Sequence, residues 1–165
     1  MKIVIKVGLT IALCLYLLVL SKLILFKYLT IQDIISQLTF SFDGYYWNSY
    51  NFIPFKTITY YLFLANDINF NIRVENLTGN IIGFIPFGFI LPLLLSKFQS
   101  FKKVTVATFC LSLAFELLQL IFRFGSFDVD DLILNTLGGM IGYMPIKLVS
   151  MYIKHRWGEQ KNVMD

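Results

Sequence analysis

Charge is what this chain has least of. Only 15% of its 165 residues are Asp, Glu, Lys or Arg, against about 25% in an ordinary soluble domain. That deficit excludes the soluble globular class, and a 57% share of hydrophobic residues with a mean hydropathy of +0.70 assigns the chain to the membrane class. Histidine occurs once, at His155 in the basic tail, where it reads as an interface residue. Cysteine occurs twice, at Cys14 and Cys110. Both lie in apolar runs without metal-type spacing, and each reads as a small buried hydrophobe. A basic stripe is also missing. The net charge of +4 is scattered over short loops and tails, which excludes a nucleic-acid partner. No A-x-A-like site follows the first apolar run, so that run reads as an uncleaved anchor and not a signal peptide.

What is present in abundance is apolar length. Four runs suffice to cross about 30 Å of hydrocarbon as helix: residues 3–26, 78–95, 104–124 and 132–153. The second contains Pro86 and Pro92, which should kink it, and the fourth should break at Pro145. The expected fold is therefore an all-α integral membrane bundle of about four transmembrane helices. It forms one domain over residues 1–153, with a basic polar tail over 154–165. Between the first two runs, Lys27 to Leu77 is polar and aromatic, and its apolar pieces are too short to span. Tyr45, Trp47 and their aromatic neighbours favour the headgroup level, so residues 47–65 read as interfacial or re-entrant. Lys97, Lys102 and Lys103 crowd the loop between runs two and three without an acid, and the termini are also basic. The positive-inside rule then puts both termini and that loop on the cytoplasmic side of a multi-pass membrane protein.

The few polar residues inside the apolar runs converge at one depth. Run three climbs outward and carries Glu116, Gln119 and Arg123 at i, i+3, i+7 spacing, hence on one helical face. At 1.5 Å per residue, Glu116 lies roughly 12 Å below Phe124. Run four descends from the outside with Asp128, Asp131 and Asn135 at the same spacing. Asp128 is placed to cap the fourth helix. Asn76 and Asn80 head run two. Lipid-facing placement of these groups is costly, so they are expected to face a bundle interior or wet cleft. Arg123 is within reach of Glu116, Asp128 or Asp131. Asp130 reads as a solvated loop charge. Gly83, Gly88, Gly138, Gly139 and Gly142 read as close-packing positions, with Gly138-x-x-x-Gly142 fitting a helix crossing.

The motifs NFIPF (Asn51 to Phe55), GNIIGFIPFGFILP (Gly79 to Pro92), FELLQLIF and RFGSFDVDDLILNTLGGMIGY occur in that order. Together they resemble the VanZ-like family of small bacterial membrane proteins, whose founding member is linked to low-level resistance to the glycopeptide teicoplanin. The resemblance covers Asn51 to Tyr143 and the first span. It places signature positions on Asn51, Pro54, Asn80, Pro86, Gly88, Glu116, Gln119, Arg123, Asp128, Asp131, Asn135 and Gly139. Phe52 stands where leucine is usual, and some relatives carry a further C-terminal span.

The resemblance implies a phenotype class: lowered susceptibility to glycopeptide or lipoglycopeptide drugs through an outward polar cleft. Asn51, Asn80, Gln119, Arg123 and Asn135 are the binding candidates. The partners are membrane lipids and a lipid-linked cell-wall precursor or the glycopeptide itself. The alternative is a membrane enzyme acting on a lipid-linked or envelope substrate. In it Glu116, Asp128 and Asp131 serve as an acid/base set or hold a divalent cation, and Arg123 receives a phosphate or carboxylate. A third reading is a structural or partner-binding subunit in which the polar residues join helices.

Overall fold

The structure, a computed structural model, describes residues 2–26, 29–39, 50–65 and 68–164, with side chains from Ile3 to Arg156 within those ranges. Four helices are long and apolar enough to cross a membrane: α1 (Lys2–Leu25), α4 (Phe70–Leu94), α5 (Phe101–Phe122) and α6 (Val129–Met164). Two short helices lie between α1 and α4, namely α2 (Ile31–Leu38) and α3 (Lys56–Thr59), the latter continuing as a π-helical turn through Leu64. The all-α membrane bundle expected from the apolar runs is the observed architecture.

The helices outrun the apolar stretches that announce them. Asn69 caps α4 by accepting the Asn71 amide at 2.9 Å, so α4 begins well before Thr78. Its 25 residues extend about 37 Å at the usual rise, longer than the hydrocarbon is thick. Arg73, in its first turn, donates to the carbonyls of Tyr61 and Leu62, the end of the α3 turn. Proline breaks neither α4 nor α6. α4 is continuous through Pro86 and Pro92, and α6 through Pro145. The expected break at Pro145 does not occur, because a helix held by its neighbours tolerates the missing amide.

α4 and α6 form the tightest pair, and glycine is the reason. A Cβ at Gly138 would strike the Ile81 carbonyl, at Gly142 the Ile85 carbonyl, and at Gly88 the Gly139 backbone. In lipid, where apolar surface gains nothing by leaving water, such close backbone approach is the main source of helix association. Thr108 of α5, fully buried, sits against Gly139 and completes the three-helix centre. α1 is peripheral. It contributes Leu20 and Leu25 to a cluster with Phe84 of α4 and Phe115 of α5, and the Tyr16 hydroxyl donates to the Gly83 carbonyl at 2.7 Å. Most of its surface is left for lipid. Cys14 and Cys110 are exposed on the outside of the bundle and not buried, as their apolar surroundings suggest. An apolar run specifies lipid or core equally well.

The ends of the bundle differ. At one end a short 3₁₀ turn (Ser96–Phe98) links α4 to α5, and the Tyr143 hydroxyl holds the Gln99 carbonyl at 2.9 Å. At the other end meet the start of α4, the end of α5, the start of α6 and the last turn of α1. Residues 50–65 fold across this second end. The outward side of this segment is apolar, with Phe52, Ile53, Phe55, Phe63 and Leu64 exposed. Tyr45 and Trp47 lie outside the described residues.

Candidate functional site

The start of α6 organises this end of the protein. Asp128 precedes the helix, and its Oδ1 accepts the Asp130 amide at 2.8 Å, the cap its position suggests. The same Oδ1 accepts from Asn51 Nδ2 at 2.8 Å, and Oδ2 accepts from the Thr57 hydroxyl at 2.6 Å. The Asn51 backbone bridges Phe127 and Val129: its amide donates to the Phe127 carbonyl at 2.8 Å, and its carbonyl accepts from Val129 at 3.0 Å. Asn51 is thus sewn to the head of α6 by backbone and side chain together. From behind, Glu116 of α5, 2% exposed, accepts the Asp128 amide at 2.8 Å. A helix start carries unpaired amides and partial positive charge, and these carboxylates answer both.

Asp130 is not the solvated charge that its place in an acidic loop suggests. It has no exposed surface. Its carboxylate accepts the backbone amides of Phe55, Thr57 and Ile58 and so caps α3 from a distance in sequence. Phe55 is held there with φ at 65°, a conformation strained for a bulky side chain.

The residues sharing a spacing on α5 and on α6 go to different neighbours. Gln119 Nε2 donates to the Ile24 carbonyl of α1 at 3.1 Å. Arg123 is not on the α5 face at all, because α5 ends at Phe122 and Arg123 caps it in the left-handed conformation with φ at 56°. Asp131 Oδ1 accepts from Asn80 Nδ2 of α4. Asn135, 3% exposed, donates to the Ser112 hydroxyl of α5 at 2.8 Å. Three and seven residues along a helix return near one face but not to one direction, and in a bundle each direction meets a different helix.

A cavity of about 370 Å³ opens between α1, α4 and α6 beneath α3. Asn80, Gln119, Asp128 and Asp131 line it, whereas Asn51 and Glu116 support it from behind Asp128, and Asn135 and Arg123 are not on its wall. Leu20, Leu23 and Ile24 of α1 face the polar residues across the space. Sequence reasoning missed Thr57, Ser126 and Glu75 on this wall. Only Thr57 left a signal, as a hydroxyl six residues beyond Asn51 in an otherwise aromatic stretch. Glu116, Asp128 and Asp131 do not assemble into a metal site: among the described residues no three Asp, Glu, His or Cys side chains form such a group. Chemically the arrangement is a half-polar, half-apolar recess suited to an amphiphile.

A sequence model of the VanZ/LLP1 family matches residues 13–150. The chain is 33% identical over 143 residues to Protein VanZ of Enterococcus faecium, an alignment covering 87% of this chain and 74% of that one. No solved structure matches.

Proposed function

The chain belongs to the VanZ/LLP1 family, and from that membership we propose that it lowers bacterial susceptibility to glycopeptide and lipoglycopeptide antibiotics by binding an envelope amphiphile in the α1–α4–α6 cavity. In this reading the protein is a multi-pass plasma-membrane protein with both termini cytoplasmic and the cavity at the outer face. The single observation behind it is the cavity itself, where polar groups from α4, α5 and α6 meet an apolar wall from α1. The orientation draws support from Lys97, Lys102 and Lys103 at the opposite end.

Binding is favoured over catalysis by how the carboxylates are used. Asp128 has both oxygens engaged by protein donors, and Glu116 sits behind it holding a backbone amide. A general acid or base needs hydrogen-bond reach to substrate; Glu116 is off the cavity wall, and Asp128, on it, already uses both oxygens to position the segment above. The test is susceptibility to teicoplanin and vancomycin in a strain lacking the gene, complemented by wild type or by Asp131→Asn. Deletion should raise susceptibility, and Asp131→Asn should fail to restore resistance although the protein accumulates in the membrane. Unchanged inhibitory concentrations on deletion would remove this reading.

A further inference from the structure

The chemistry of the cavity wall narrows what it would hold, and the key is which polar atoms are already spoken for. The amide nitrogens on the wall face protein acceptors. Asn76 Nδ2 donates to the Ile72 carbonyl at 2.8 Å, Gln119 Nε2 to the Ile24 carbonyl at 3.1 Å, and Asn80 Nδ2 to Asp131. The corresponding amide oxygens take no hydrogen bond within the described protein, and that of Gln119 is also shielded from solvent. An amide whose nitrogen is fixed by a carbonyl has its oxygen fixed too, since a carbonyl only accepts. Asp131 adds a second carboxyl oxygen, Oδ2, that accepts nothing from the described residues. Glu75 stands exposed at the mouth. Among the described residues no lysine, arginine or histidine lines the space. Acceptors are open, one N–H of each wall amide is already committed, and among the described residues no cation faces the carboxyl groups.

We propose that the cavity takes an amphiphile whose headgroup carries a primary ammonium, its N–H donors meeting Asp131 Oδ2 and the Asn80 amide oxygen while its chain lies along Leu20, Leu23 and Ile24. This rests on the amphiphile-binding reading above and deepens it. Three donors on a compact cation match several acceptors at once. A phosphate headgroup brings more acceptors and negative charge to a wall that already has both, and desolvating it there costs free energy without return. The guanidinium that suits a phosphate, Arg123, is not on the wall.

The experiment uses the full chain in phosphatidylcholine nanodiscs, a background lipid without N–H donors. Tetradecylamine, tetradecyltrimethylammonium and tetradecyl phosphate are titrated, with the thermal midpoint and native mass spectrometry as readouts and empty discs as control. Tetradecylamine should bind saturably, and the trimethyl analogue, with the charge but no donors, about tenfold or more weaker. Tetradecyl phosphate should not bind. Asp131→Asn should weaken tetradecylamine by about tenfold. Glu75→Gln, which removes no contact within the fold, should weaken it by about threefold with the thermal midpoint of the empty protein unchanged. Equal binding of the phosphate and amine probes overturns the proposal. So does equal binding of the two cations, or full affinity for tetradecylamine in both variants. Competition by phosphatidylethanolamine in the disc, or by teicoplanin in solution, then tells a resident lipid from a drug as occupant, and either supports the donor headgroup. If amine binding follows this pattern but deletion leaves drug susceptibility unchanged, the resistance reading falls and the ligand class stands. If deletion raises susceptibility but the amine pattern fails, the reverse holds.

Discussion

Replacing Asp130 by alanine should release the segment over the cavity without unfolding the bundle. The carboxylate is fully buried and is the acceptor for the amides of Phe55, Thr57 and Ile58. Each buried donor left without a partner costs about 1–3 kcal/mol, so with nothing moving the loss of three is about 3–9 kcal/mol. Two responses reduce it. Phe55, at φ 65°, can leave the left-handed region and recover about 1–2 kcal/mol. The freed amides can also reach water once α3 lifts away. The net expectation is about 2–4 kcal/mol, lost locally, because α4, α5 and α6 pack through glycine contacts that do not involve α3. Hydrogen exchange with mass spectrometry on nanodisc-embedded protein reads this directly. Amides of residues 55–64 should lose at least about tenfold in protection, since every 1.4 kcal/mol is tenfold, while those of α4 and α6 keep theirs. Asp130→Asn, which retains one accepting oxygen, should fall between. Unchanged protection over residues 55–64 in Asp130→Ala would refute the assignment of this carboxylate as the anchor of α3.

Three further expectations follow from particular contacts. Gly88→Leu and Gly142→Leu should each destroy the α4–α6 pairing, because a side chain there meets the opposing backbone; loss of folded protein on size exclusion in detergent checks this, with Gly79→Ala, which has nothing within 4 Å, as the neutral control. Ser112→Ala with Asn135→Ala in a double-mutant cycle should give a coupling of about 0.6 kcal/mol and not several, as is usual for helix-joining polar pairs in membranes; steric-trapping or thermal unfolding measures it. Around α2, the Thr30 hydroxyl and amide hold the Asp33 carboxyl below its ordinary value of 3.8. A depressed carboxyl stabilises above its unfolded value and loses that contribution as pH falls through the folded one, so the protection of α2 amides, taken relative to the intrinsic exchange rate at each pH, should be constant near neutrality and fall only in acid below pH 3.8, and that fall should vanish in Asp33→Asn.

The motif residues were legible as a set long before their partners were. Asn80, Gln119, Asp128 and Asp131 were singled out because polar groups in apolar runs must find company, and alternating spans put them at one end. Asp128 was legible as a cap, since it immediately precedes an apolar periodic run. Gly138 and Gly142 were legible as a crossing. Asp130 was misread because a third acid close to Asp128 and Asp131 looks the same in sequence whether it meets water or the amides of a segment more than seventy residues away. Arg123 was misplaced because periodicity carries a helix past its true end, and the left-handed cap at that residue has no glycine to announce it.

Sequence alone determined the solvent, the number of long helices and the end of the bundle where polar groups gather, because hydropathy over 20-odd residues and the alternation of spans are properties of the chain read in order. The tertiary structure decided which carboxyl group supports, which caps and which keeps an oxygen open toward the cavity. Hydrogen bonds are satisfied by direction and distance between separate helices, and a residue's position along its own helix fixes neither.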